Sequence, residues 1–108
     1  MTQSRSDRRS MRRFALDLPV NVKRLGNAKL EAAGRTRDVS SRGVFIVVGS
    51  EMVQGAPIEF IMTLPSEITL TDPVRVHCRG RIVRVERNGD EQGVAVAIDH
   101  YDFVGEES

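Results

Sequence analysis

The sequence predicts an all-β fold of six antiparallel strands, closed as a barrel or stacked as a sandwich. Apolar residues alternate with polar ones at a period of two in one short segment after another, as half-buried strands require. Glycine, asparagine and proline separate those segments at fairly even spacing. In the longest segment the alternation slips by one residue, which marks a β-bulge of the kind that curves a sheet.

Besides Met1, residues 1–13 contain one strongly hydrophobic residue, Met11, and no periodicity, so they are expected to form a mobile arm. Leu18, Val20 and Val22 then alternate as the first strand, and Gly26-Asn27 supplies a two-residue hairpin turn because both residues tolerate positive φ. Ala28, Leu30 and Ala32 alternate on the return strand, where Gly34 predicts a bulge or bend. Residues 44–48, Val-Phe-Ile-Val-Val, read as a strand buried on both faces. Turn formers fill residues 49–55, and Ile58, Phe60, Met62 and Leu64 form the fourth strand, with Phe45 and Phe60 both expected in the core. Two prolines bound a predicted loop over residues 65–73, since neither can donate to a ladder. Val74, Val76, Cys78, Gly80 and Ile82 share one parity while Val83 and Val85 share the other, which places the bulge between Ile82 and Val83. Asn88-Gly89-Asp90 turns the chain, Val94, Val96 and Ile98 make the last strand, and an acidic tail is expected from Asp99. The organisation predicted is a flexible Arg-rich arm over residues 1–13 and one barrel domain over 14–108.

A chain of 108 residues has the length of one domain. No apolar run approaches the roughly 20 residues of a membrane helix, so no membrane association is expected. The lone Cys78 excludes an internal disulfide, and with no signal peptide in view a cytoplasmic location is expected. The net charge of +1 hides an asymmetry. Arg5, Arg8, Arg9, Arg12 and Arg13 against Asp7 make the arm +4, which leaves −3 for the rest. A concentrated basic arm attracts polyanions where a neutral protein would not.

Catalytic chemistry is not expected. His77 and Cys78 are strand neighbours and should point to opposite faces, which separates the one conceivable Cys-His pair. Cys78 reads as a small core residue. No Cys/His set has metal-ligand spacing, and the carboxylates form no pair suited to acid/base work. Neither a catalytic residue, a metal nor a cofactor is expected.

Two short motifs remain. Arg9-Ser10-Met11-Arg12-Arg13 spaces two arginines four apart, and Asp38-Val39-Ser40-Ser41-Arg42-Gly43 is an Asp-x-Ser-x-x-Gly turn. Either alone is commonplace, because such turns bond their own backbone. Their relation is more informative. A hairpin centred on Gly26-Asn27 sets residue 13 opposite residue 40 and residue 15 opposite residue 38, so antiparallel pairing carries the base of the arm to the turn. Asp38 and Ser40, two apart on an extended chain, point the same way. That set suits a guanine nucleotide. Arginine donates bidentately to guanine O6/N7 or to phosphate, ionised aspartate accepts from the N–H groups on guanine's other edge, and Gly43 permits a sharp turn and close backbone approach.

With these motifs the chain resembles the PilZ domain family, bacterial receptors for the second messenger cyclic di-GMP, from Arg8 to about Asp99. That family joins an Arg-x-x-x-Arg arm to a six-stranded antiparallel β-barrel bearing (Asp/Asn)-x-Ser-x-x-Gly, and Leu18-Pro19-Val20 and Gly93-Val94 also match its pattern. Its frequent C-terminal helix has no counterpart in the pattern here. The resemblance implies a PilZ-type barrel and a cytoplasmic, non-enzymatic adaptor that orders its arm around cyclic di-GMP and signals to an unidentified effector protein. It places Arg9, Arg13, Asp38, Ser40 and Gly43 in the binding site. Arg8 is similar to the pattern of members that take an intercalated pair of ligands, so two molecules per chain are expected. Two other readings compete with this one. A non-specific nucleic-acid-binding barrel would need aromatic platforms and a basic groove, whereas this chain has no Trp, one Tyr and four Phe on an acidic barrel, so no nucleic-acid polymer is expected. A ligand-free docking module of the same fold would typically have lost the motif arginines or the aspartate, which are retained here.

Overall fold

A computed structural model describes residues 14–104. The arm with Arg8, Arg9 and Arg13, and residues 105–108, lie outside the described residues. Six strands form: β1 (Pro19–Leu25), β2 (Ala28–Val39), β3 (Gly43–Val48), β4 (Pro57–Leu64), β5 (Val74–Asn88) and β6 (Glu91–Phe103). They close into a barrel in the order β1-β2-β3-β6-β5-β4, and every neighbouring pair is antiparallel. Of the two architectures left open by the periodicity, the chain adopts the barrel. Closure leaves no strand without two neighbours over its central residues, which removes the open sheet edges that a sandwich keeps.

The alternation works as expected. Val20 and Val22, Val44, Ile46 and Val48, Ile58, Phe60 and Met62, Val76, Cys78 and Ile82, and Val94 and Val96 all point inward and form the core. Phe60, Ile46, Ile82, Val22 and Val94 are completely buried. Leu18 plugs the barrel ahead of β1, at 1% exposure.

The β1–β2 turn carries its positive φ on Gly26 alone (62°). Asn27 stays in the ordinary region, so the turn follows the II′ pattern, with glycine first, rather than I′. Leu25 pairs with Ala28 and Arg24 with Lys29; one extra residue in β2 then shifts the register, so that Val22 pairs with Ala32 and Pro19 with Arg35. No bulge falls at Gly34 itself, whose register is unbroken on both sides. The irregularities of β2 flank it, one between Lys29 and Ala32 and one at Arg37.

The bulge predicted between Ile82 and Val83 is present. Ile82 pairs with Val96 and Arg84 with Ala95, leaving Val83 as the extra residue, turned to solvent. A second irregularity leaves Asp99 unpaired between the Arg79–His100 and Gly80–Ile98 pairs.

Three expectations are corrected. The loop over 65–73 holds a single helical turn, α1 (Ser66–Thr69), in which the amides of Ile68 and Thr69 bond the Pro65 carbonyl. The tail expected from Asp99 is strand as far as Phe103, because Tyr101 and Phe103 pair with Cys78 and Val76 of the long β5. Residues 44–48 are buried on both faces, as expected, with only Val47 half-buried; the expectation corrected is that Phe45 belongs to the barrel core. Phe45 is 3% exposed, yet it lies outside the barrel core, on the outer face.

Candidate functional site

The site is assembled around Thr36, a buried polar residue of β2. Its hydroxyl accepts a hydrogen bond from the Leu18 amide at 2.9 Å and donates one to the Leu16 carbonyl, while its own amide bonds the Leu18 carbonyl at 2.9 Å. These contacts hold the lead into β1 against β2 even though residues 15–18 form no strand. Ahead of them, Phe14 and Val39 exchange both backbone hydrogen bonds, at 2.8 and 2.9 Å. Phe14 opposite Val39 is the register the sequence predicted from residue 13 opposite 40 and 15 opposite 38. The residue that follows Arg13 is therefore fixed beside the backbone between Asp38 and Ser40.

The β2–β3 turn is closed by Ser40. Its amide bonds the Gly43 carbonyl at 2.8 Å, its hydroxyl accepts from the Gly43 amide at 3.1 Å, and that hydroxyl also lies 3.2 Å from the Gly43 carbonyl, to which it can donate. A serine that bonds its own turn in this way shapes the backbone as well as offering an oxygen. Gly43 does not adopt positive φ. The close approach it permits is to the neighbouring strand: a Cβ there would lie 2.9 Å from the Val96 carbonyl oxygen of β6. The turn is tied to β6 a second time, through the Ile98 amide and the Arg42 carbonyl at 2.9 Å. Gly43→Ala should thus lose stability. Alanine's gain through the unfolded chain is about 0.4–1 kcal/mol, and overpacking against backbone costs about 1–3 kcal/mol. A lower denaturation midpoint with unchanged slope is the expected result, and an unchanged midpoint would show that the strands separate freely there.

Asp38 sits half-buried on the outer face, paired with Phe45. Thr36 pairs with Ile46, so Arg37 is the extra residue of a bulge. The bulge brings Arg37 and Asp38 together above one partner. The Arg37 guanidinium carbon stands 4.1 Å from the centroid of the Phe45 ring, a cation–π contact of about 0.5–1 kcal/mol at an exposed site. The ring lies on the other side against Gly93, where a Cβ would come within 2.6 Å of it. Neither Arg37 nor Phe45 was expected at the site. The available signals were the parity of Phe45, opposite to Val44 and Ile46, and a glycine in the facing strand.

The arrangement offers a carboxylate, a hydroxyl and a guanidinium on a barrel wall, where the basic arm joins. Asp38, Ser40 and Gly43 are brought together; Arg8, Arg9 and Arg13 lie outside the described residues.

The remaining reactive groups are elsewhere and apart from one another. Cys78 is 1% exposed inside the barrel, and burial pushes its thiol up to about 11. His77 points outward, with Nε2 2.6 Å from Glu59 Oε2. Among the described residues, no group of three or more His, Cys, Asp or Glu could hold a metal ion, and no helix is long and apolar enough to cross a membrane. A thiol raised in this way reacts as the thiol rather than the thiolate. Iodoacetamide near neutral pH should leave Cys78 unmodified until denaturant is added; rapid labelling of the folded protein would contradict its burial. The raised value also makes stability fall as pH rises from about 9 to about 11, because the unfolded thiol ionises first.

No curated protein matches the chain. A family model does: the one described as the PilZ domain matches residues 6–107, a span that takes in both arginine and aspartate motifs and all six strands of the barrel. The chain belongs to the PilZ domain family.

Proposed function

We propose that the chain is a cyclic di-GMP receptor and adaptor, binding the ligand between the arginines of residues 1–13 and the β2–β3 turn. The observation that carries this reading is the paired backbone of Phe14 and Val39. It joins the arm to the barrel within one residue of both Asp38 and Ser40. Arg9 and Arg13 then supply bidentate donors to guanine or phosphate, and Asp38 accepts from the guanine N–H edge. Arg8 adds a further guanidinium, in keeping with an intercalated pair of ligands on each chain. PilZ domains are binding modules rather than enzymes, and an effector protein that meets the liganded surface is the output this reading implies.

Calorimetry with cyclic di-GMP, cyclic di-AMP, GTP and duplex DNA tests the proposal. The expected result is tight binding of cyclic di-GMP alone, with a ratio near two that falls to near one in Arg8→Leu. Equal affinity for the adenine analogue would overturn the guanine assignment, and a native ratio near one would overturn the paired ligand. In hydrogen exchange, the amides of residues 1–13 should gain protection when cyclic di-GMP is added.

A further inference from the structure

β3 begins at Gly43, which pairs with Ala97, and the last contact on that side of β6 is the Ile98 amide on the Arg42 carbonyl. β6 nevertheless runs on to Phe103, paired with β5 alone. Its other edge, over residues 99–103, faces no strand among the described residues. The phase of the ladder is set by the Val104 amide, which bonds the Arg75 carbonyl. Antiparallel ladders alternate, so His100, Asp102 and Val104 turn their backbone groups toward β5, while Tyr101 and Phe103 turn theirs away.

The side chains of that edge are exposed as well. Tyr101 is 54% and Phe103 67% exposed, and their rings meet edge to face with centroids 6.4 Å apart. No lysine or proline lies within residues 99–103; the edge carries Asp99, at the start of the free stretch where the register shifts, and Asp102.

We propose that this edge is a homodimer interface, in which β6 pairs antiparallel with β6 of a second copy about Tyr101. The choice of a second copy and of the register follows from charge. A two-fold pairing through this edge must exchange hydrogen bonds at Tyr101 and Phe103. Centring it between them sets Asp102 against Asp102 of the other copy, a like-charge pair directly opposite, which is destabilising. Centring it on Phe103 sets Asp102 opposite Val104 and carries the rest of the pairing past the Phe103 end of β6, so no charge pair falls within the strand. Centring it on Tyr101 sets His100 opposite Asp102 twice, once on each side of the axis, and so brings together two His100–Asp102 pairs that each chain already holds at 3.2 Å between Nε2 and Oδ2. The same register places Tyr101 against Tyr101, with each Phe103 diagonal to the other copy's Tyr101, within the reach of aromatic cross-strand pairs. One sheet then runs through both barrels. The pairing uses residues remote in sequence from the motif residues, so it stands independently of the ligand assignment.

Sedimentation equilibrium of the full chain over a range of concentrations tests it. The native protein should pass from monomer to dimer as concentration rises. Tyr101→Pro removes an amide that faces the free edge and not β5, so it should leave the barrel's circular dichroism intact and the mass at one chain. Asp102→Lys should weaken the dimer roughly tenfold or more, by replacing the carboxylate opposite His100 with an ammonium that His100 cannot pair. Tyr101→Cys, made in a Cys78→Ala background because Cys78 of β5 pairs with residue 101 and could capture it within the chain, reports the register directly. A hydrogen-bonded antiparallel pair holds its Cα atoms about 5.5 Å apart, within disulfide range, so mild oxidation should link the two copies. The cross-link decides the matter if the proline variant fails to fold. A native chain that stays monomeric throughout, including one that accepts only another protein's strand, would overturn the proposal. So would a Tyr101→Pro protein that dimerises as well as the native, or a Tyr101→Cys protein that does not cross-link.

Discussion

Asp38→Ala should weaken cyclic di-GMP binding roughly tenfold or more, and Arg9→Ala or Arg13→Ala at least as much. A charge-assisted hydrogen bond is worth about 1.5–3 kcal/mol, and each 1.4 kcal/mol is a factor of ten in affinity. Losing the carboxylate leaves the guanine N–H donors unpaired in the complex, so the cost lies at the upper end of that range if the site excludes water. Asp38 stands on the outer face and contributes nothing to the barrel core. The denaturation midpoint of the variant, measured alongside its affinity, separates a binding defect from a folding one. Arg5→Ala is the matched control. It removes the same charge from the arm, outside the motif, and salt screens exposed charges beyond about 10 Å at 0.1 M. Native-like affinity in Asp38→Ala would remove the aspartate from the site. An equal loss in Arg5→Ala and Arg9→Ala would reduce the arm to a bulk electrostatic attraction.

Phe60→Ala should be the most damaging single truncation to stability. Phe60 is wholly buried on β4, which pairs with both β1 and β5, so its ring fills the centre of the closed wall. Removing a buried phenylalanine costs about 3–5 kcal/mol, because the cavity cannot collapse when the surrounding strands are locked into a ring. Set against a typical total of about 5–15 kcal/mol, that loss brings the barrel close to unfolding at ordinary temperature. Val83→Ala, at the exposed bulge, should change stability by no more than about 0.5 kcal/mol. Denaturant titration of the two variants makes the comparison, and similar losses in both would mean that the core is not where the burial places it.

Much of this architecture was legible in the sequence because one-sided burial writes itself as alternation. Val83 and Val85 betrayed their bulge because both are apolar and had visibly changed parity. The bulge at Arg37 gave no such sign. Arg35, Arg37 and Asp38 are all polar, and a slip among polar residues leaves the hydrophobic pattern untouched. Phe45 misled for the opposite reason: an apolar residue buried on the outer wall, between an arginine and a glycine, looks like core until its neighbours are known. Residues 99–103 were read by charge as a tail, although Tyr101 and Phe103 already alternated with His100 and Asp102. What held them in a strand was the length of β5, a partner far away in the chain. The meeting of Phe14 with the Asp38–Ser40 stretch was legible because a tight turn counts residues outward from itself, and the residue gained in β2 is cancelled by one extra residue in the lead between Phe14 and Pro19. The part played by Thr36 in holding that meeting was not, since a threonine in a strand has no distinctive spacing.

The way the barrel closes also governs how it can form. Val20 pairs with Met62 and Gly43 with Ala97, partners more than forty residues apart. The hairpins β1–β2 and β5–β6 need only close short loops, a matter of microseconds, but neither can bury its apolar face alone. The β1–β4 and β3–β6 seams bear the loop-closure entropy before any core contact repays it, and such topologies fold in milliseconds to seconds. The same seams join only strands that are distant in sequence. Opening either one exposes the whole core at once, which makes unfolding a single cooperative event.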